Sequence, residues 1–197
     1  MQTMYWARNG VVGRSNPAQQ LQAAQELVRR DRRRGLMRLD EIFRAGTPPD
    51  LPLDGRYAGA FVAFRLPLVS DLAESAVQAW RPWRGKTFEA AEDWGDNVVS
   101  PGLVALARLI WPKYRGYERD GSAAYRAFAF RTCVAPGLAD PDRQVLRIDY
   151  DLAGNPRMLV RRVLDEVVQL DERLYLGKAH LRVRGRHWTW AYFMLQQ

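Results

Sequence analysis

One cysteine and two histidines in 197 residues close off whole classes of chemistry. With Cys133 alone there is no internal disulfide, which suits a reducing compartment, and the residue reads as a small buried apolar side chain. A zinc centre built from Cys133, His180 and His187 lacks a third soft ligand spaced near the two histidines. No run approaches the roughly 18 apolar residues that a bilayer-crossing helix needs, and Met1 to Gly10 has no apolar stretch of the secretion-signal type. The chain is therefore expected in the cytoplasm. Its five serines, Ser15, Ser70, Ser75, Ser100 and Ser122, sit in no G-x-S-x-G frame. Repeats and low-complexity segments are also missing.

What is present is a globular composition, 47% hydrophobic and 26% charged, on a length that suits one core. The C-terminal third organises it. From Gln144 to Gln197, four apolar, alternating segments follow one another. Successive side chains of a strand point to opposite faces, so Leu146, Ile148 and Tyr150 share one face and Arg147, Asp149 and Asp151 the other. Gly154-Asn155-Pro156 then supplies a turn. In the next run Leu164, Val168 and Leu170 share a face. After Asp171-Glu172, so do Tyr175, Gly177, Ala179, Leu181 and Val183, with Lys178, His180 and Arg182 outward. The last segment, His187 to Leu195, is apolar on both faces, as expected of a strand covered on both sides.

Upstream, Leu53 to Val62 reads as a first strand and Trp80 to Phe88 as the entry to a second. Lys113 to Arg119 and Ala124 to Cys133 read as strands joined by an Asp120-Gly121 hairpin turn. Pro67 to Ala79 and Pro101 to Ile110 read as short helices. These make eight candidate strands. The predicted fold class is α+β: an antiparallel, barrel-like sheet of about eight strands, with an N-terminal helix and short helical insertions. Two parts are expected, a basic N-terminal helical segment over 1–50 and a barrel domain over 51–197.

The net charge of +8 is uneven, because residues 1–45 alone carry +5. Asn16 as N-cap, Pro17 at the first helical position and a stop at Gly46 before Pro48-Pro49 predict a helix from Pro17 to Ala45, which Gly35 divides in two. Leu21, Ala24, Val28, Leu39 and Ile42 or Phe43 form its stripe, while Arg29, Arg30, Arg32, Arg33 and Arg34 go most of the way round. Those arginines form either the solvated face of a packed helix or a surface for acidic lipid headgroups, nucleic acid or an acidic partner.

Three stretches carry a family resemblance: Asp54-Gly55-Arg56-Tyr57-Ala58-Gly59, Trp83-Arg84-Gly85-Lys86-Thr87-Phe88, and the pair Asp165-Glu166-Val167-Val168 and Leu174-Tyr175-Leu176-Gly177-Lys178-Ala179. Over 55–197 the chain resembles bacterial calycin-type barrels, the group of lipocalins, fatty-acid-binding proteins and nitrobindins, whose first strand carries a Gly-aromatic-Gly signature. The resemblance implies a barrel interior that takes one small apolar ligand. The helix-like insertions exceed what such barrels usually carry.

The expected lining is Tyr57, Phe61, Phe128, Phe130, Tyr150, Tyr175 and Trp190, joined by Ile148, Val168 and Leu181, with Glu166 inward as the group that orients a polar end. The alternatives are that Asp165 is the inward carboxylate, or that Glu166 pairs with a core arginine such as Arg126. Gly85-Lys86-Thr87 lacks the earlier glycine of a phosphate loop and reads as strand entry. Glu89, Glu92, Asp93 and Asp96 lack calcium-loop spacing and read as a solvated acidic loop. His187 invites comparison with the haem-ligating histidine of nitrobindin-like barrels, although Arg184 and Arg186 beside it point to an exposed turn. The expectation is thus a ligand-binding barrel with no metal and no assigned catalytic residue. The alternatives are an enzyme using an inward carboxylate, and a haem-binding or protein- or nucleic-acid-interaction module. Expected partners are a small apolar ligand, an anionic surface at the N-terminal helix, and a second copy as a homodimer.

Overall fold

Asn16 accepts a hydrogen bond from the Ala18 amide, Pro17 occupies the first turn, and helix α1 (Pro17–Arg30) starts as those two residues dictate. The computed structural model describes residues 16–49, 52–65 and 80–197. A second helix, α2 (Arg32–Ala45), follows with a single residue between. The break falls at Asp31 and not at Gly35. Asp31 leaves the helical region at φ −144°, ψ 92°, and its carboxylate accepts from the Arg34 amide to cap α2. Gly35 has a different task. A Cβ there would lie 2.3 Å from the Val28 backbone nitrogen, so its missing side chain lets α1 and α2 pack closely.

The sheet consists of β1 (Gly55–Phe64), β2 (Trp83–Glu89), β3 (Trp94–Val99), β4 (Glu118–Asp120), β5 (Ala124–Pro136), β6 (Gln144–Asp149), β7 (Val163–Asp171), β8 (Leu174–Val183) and β9 (Arg186–Gln196). A third helix, α3 (Pro101–Ile110), capped by Ser100, links β3 to β4. All pairings are antiparallel. The order β3-β2-β1-β9-β8-β7-β6-β5, with β3 also paired to β5, closes eight strands into an up-and-down barrel, and β4 adds a short ribbon on β5. The expected count of eight therefore holds with a different membership. Of the acidic stretch read as a loop, Glu92 and Asp93 do lie in an exposed turn, whereas Glu89 ends β2 and Asp96 lies in β3, both held by Arg126 at 2.7 and 2.6 Å. Of the strand expected over Lys113 to Arg119 only Glu118 and Arg119 are extended and paired, and β4 runs on into Asp120, expected in the turn. The helix expected over Pro67 to Ala79 lies outside the described residues.

Two apolar cores share the barrel wall. Inside are Tyr57, Phe88, Phe130, Leu146, Ile148, Val167, Tyr175, Phe193 and Leu195. Outside, Leu21, Ala24, Val28, Leu39, Ile42 and Phe43 of the helical hairpin cover Val62, Val145, Val168, Leu176 and Tyr192. Each large side chain buried in this way contributes roughly 1.5–3 kcal/mol, so the hairpin is part of the fold's stability. A charged clasp reinforces the contact. Lys178, buried on the outer wall, lies 2.9 Å from Asp40 of α2 and 3.4 Å from Asp140, and its ammonium stands 4.3 Å from the centre of the Phe43 ring. Asp40 also accepts from the Tyr192 hydroxyl at 2.7 Å. Cys133 is exposed on β5 instead of buried.

Candidate binding site

The barrel is filled at one end and hollow at the other. At the filled end Tyr57 meets Phe88 and Tyr175 edge-to-face, at 5.2 and 5.5 Å between ring centres, and Phe130 lies against Phe88 and Tyr150. Tyr57, Phe130 and Tyr175, expected to line a cavity, are instead its packed base. The hollow end is a cavity of about 280 Å³ walled by aromatic and aliphatic side chains. Phe61, Phe128, Tyr150 and Trp190 line it as expected, together with Trp83, Trp111, Val163 and Phe193. Leu159, half exposed, stands on its rim.

Local irregularities make this lining. β1 shifts register between Phe61 and Ala63, which turns Phe61 and Phe64 inward while Val62 and Ala63 meet the helices. A shift opposite Ala179 and His180 places Trp190 beside Ala191 in the inner core. Phe128 sits at φ +56°, its amide donating to the Tyr114 hydroxyl at 2.8 Å and its ring stacked on Tyr114. Gly59 is required under the indole of Trp83, since a Cβ there would come within 2.4 Å of the ring. The indole N–H of Trp111 is buried and has no partner among the described residues.

Four polar side chains meet at the floor of this apolar cavity. The Lys86 ammonium donates to Asp165 at 2.9 Å, to Asn97 at 3.1 Å and to the Tyr150 hydroxyl. The Tyr150 hydroxyl donates to Asp165 at 3.0 Å, and the Trp83 indole N–H donates to Asn97 at 3.0 Å. Asn155 fixes the end of β6 by donating to the carbonyls of Tyr150 and Ala129. Around the ammonium, the rings of Trp83, Phe130, Tyr150 and Phe193 have their centres 5.0–5.5 Å away. Burial lowers the lysine's pKa, opposed by the charge and hydrogen bond of Asp165. Burial, with the neighbouring carboxylate, pushes the Tyr150 phenol well above its ordinary range, so it remains a donor. The result is a compensated charge pair, able to orient or react with one polar group of an otherwise apolar molecule.

Glu166 is not part of this site. On β7, Val163, Asp165 and Val167 face the lumen, and Glu166 faces outward beneath the segment following β5. It pairs with His180 at 3.1 Å and accepts from the Leu138 amide at 2.6 Å, and the Thr189 hydroxyl is 3.1 Å from the other His180 ring nitrogen. Burial raises the pKa of Glu166, but His180, the Leu138 amide and Arg147 outweigh it and hold the carboxyl below its usual range. Arg126, the suggested partner, belongs to Asp96 and Glu89. Val168 is likewise outside, under the helices. His187 stands exposed at the start of β9, opposite Arg182. Among the described residues no group of three or more His, Cys, Asp or Glu side chains is placed to hold a metal.

In the sequence Gly85-Lys86-Thr87 reads as a strand entry, and Lys86 is not among the expected site residues. The available signal was its phase with Phe88, two residues on. Trp83 and Lys86, three apart, both face the lumen because β2 and β3 slip register between Trp83 and Gly85. A larger cleft of about 500 Å³ lies outside the barrel between α1 and the β7–β8 turn. Its polar residues, Gln22, Glu172 and Gln196 among them, are exposed surface groups, and Asn16 is engaged in capping α1.

No family model matches this chain, and no curated protein does. Among solved structures, the chain is similar to a protein from Thermomonospora curvata, with 13% identity and a TM-score of 0.48 over 91% of this chain and 98% of that one. No described helix is long and apolar enough to cross a membrane.

Proposed function

We propose that the protein binds one small, largely apolar molecule in the hollow end of its barrel, with the ligand's polar group turned to Lys86, Asp165, Tyr150 and Asn97. The observation that carries this reading is a buried charge pair at the floor of a cavity whose other walls are almost wholly apolar. Small-ligand sites combine an apolar wall with a few convergent polar groups, and they run from about 300 to 1,000 Å³. At about 280 Å³ this one suits a single-ring or short-chain molecule. The calycin-like reading fits the same picture, supported by the up-and-down closure of eight strands and by Gly55, Tyr57 and Gly59 at the start of β1.

The test is a calorimetric titration with an uncharged single-ring probe, cinnamyl alcohol. The wild type should bind it saturably at one site, and Val163→Trp, which fills the cavity, should abolish binding while thermal unfolding stays within a few degrees. Absence of a saturable site in the wild type would refute the reading.

A second surface is proposed on its own observation. Arg29, Arg30, Arg33 and Arg34 are exposed around the joint between α1 and α2, which suits electrostatic attraction to anionic headgroups.

A further inference from the structure

The polar floor of the cavity limits which ligand can use it. A ligand ending in an ionised carboxylate would set its charge against Asp165 in a site shielded from water. A hydroxyl would find hydrogen bonds but leave the amine without a chemical role. A carbonyl group is neutral, accepts a hydrogen bond from Tyr150 and presents an electrophilic carbon to Lys86. Lys86 is the one lysine that lines the cavity among the described residues; Lys113 is exposed and Lys178 is held on the outer wall by Asp40 and Asp140.

We propose that Lys86 captures the carbonyl carbon of a small apolar aldehyde or ketone as an imine, with Asp165 and Tyr150 managing the protons. This rests on the ligand-binding reading above and names its ligand class. In the first step the ammonium passes a proton to Asp165, 2.9 Å away, and the freed nitrogen lone pair forms a C–N bond to the carbonyl carbon. With Asp165 protonated, Tyr150 turns its one O–H from Asp165 to the carbonyl oxygen, which takes the proton shed by nitrogen to give a neutral carbinolamine. Asp165 then returns its proton to that hydroxyl, the C–O bond breaks, and one water leaves. A protonated imine remains beside an ionised Asp165. No electrons enter or leave, and the charge pair at the end matches the one at the start, so the pocket needs no new counter-ion. Burial of Lys86 favours the free amine that the first step needs. The ring faces of Trp83, Phe130, Tyr150 and Phe193 suit the iminium as they suit the ammonium.

The test treats the full chain with trans-cinnamaldehyde and sodium borohydride, followed by intact-mass and peptide mass spectrometry. The expected result is one adduct, heavier by the aldehyde less one oxygen atom, located on Lys86. It should form faster than any adduct on exposed Lys113, because burial lowers the Lys86 pKa and leaves more of it as the free amine. Cinnamyl alcohol, which has the same skeleton but no electrophilic carbon, should compete for the cavity and suppress it. The variant Lys86→Met with Asp165→Asn, which removes both charges together, should keep cooperative thermal unfolding and lose the adduct. If cinnamyl alcohol binds but Lys86 stays unlabelled, or its labelling is no faster than that of Lys113 or is indifferent to cinnamyl alcohol, the imine is overturned and the binding site stands. If the wild type neither binds cinnamyl alcohol nor forms the adduct, both readings fall.

Discussion

At the scale of single residues, the decisive pair is Lys86 and Asp165. Two opposite charges inside a barrel gain a strong mutual attraction and lose two hydration shells, and removing one leaves the other stranded. Lys86→Met should therefore destabilise the fold by about 3–5 kcal/mol, while Lys86→Met combined with Asp165→Asn should recover most of that loss. Chemical denaturation of the three proteins checks this; equal losses in the single and double variants would show that Asp165 does not depend on Lys86. The same scale explains why Glu166 misled. Leu164, Val168 and Leu170 form an apolar row on β7, and such a row normally marks the interior, but Val168 packs against the helices and the lumen takes Val163, Asp165 and Val167. Because the hairpin covers the outside, both faces of β7 are dry, and alternation alone cannot tell which is the inside. Asp165 was legible as an alternative; Lys86 was hidden by a slipped register on β2.

At the scale of elements, the helical hairpin depends on two contacts. Gly35 abuts the Val28 backbone, which cannot yield as a flexible side-chain tip would. Gly35→Ala should cost about 1–3 kcal/mol by overpacking, despite the ~1 kcal/mol of helix propensity that alanine adds. A stabilised variant in thermal unfolding would contradict the close packing of α1 on α2. The second contact is Asp40. Burial raises its pKa, but the hydrogen bond and charge of Lys178, with Tyr192 and Arg65, outweigh this and hold it below the ordinary 3.8. The folded chain then binds this proton less readily than the unfolded chain. The stabilisation is full above about pH 3.8 and is lost as pH falls through the lower folded value. Asp40→Asn should be less stable than wild type at neutral pH, with the gap narrowing below pH 3.8; a gap independent of pH would remove Asp40's charge from the clasp.

At the scale of the whole molecule, the barrel offers an apolar interior and the hairpin an arginine surface, each with its own assay. Replacing Arg29, Arg30, Arg33 and Arg34 by Gln should abolish retention on anionic phosphatidylserine liposomes at low salt and leave unfolding unchanged, with wild-type retention weakening steeply as salt rises. Arg32 stays in place because its guanidinium donates to the Phe64 carbonyl at 2.6 Å. Wild-type protein that ignores such liposomes at low salt would reduce those arginines to a solvated face.

The sequence by itself determined the elements whose signals are local. Asn16-Pro17 starts α1, Ser100-Pro101 starts α3, Asp120-Gly121 turns the β4–β5 hairpin, and the alternation from Gln144 onward gives the strands that close an antiparallel sheet. It also determined that Phe61, Phe128, Tyr150 and Trp190 belong to one apolar interior. Only the tertiary structure decided which end of that interior is hollow, since Tyr57, Phe130 and Tyr175 have the same chemistry as the cavity's wall and differ only in how tightly their neighbours fill the space. It alone decided that β3 exists, because Asp96 of β3 is held by Arg126 of β5, which also takes Glu89 at the end of β2. And it alone brought Lys86, Asn97, Tyr150 and Asp165 together. They come from four strands or strand ends as far as 79 residues apart, and their meeting depends on barrel closure and a register slip, neither of which leaves a mark in local periodicity.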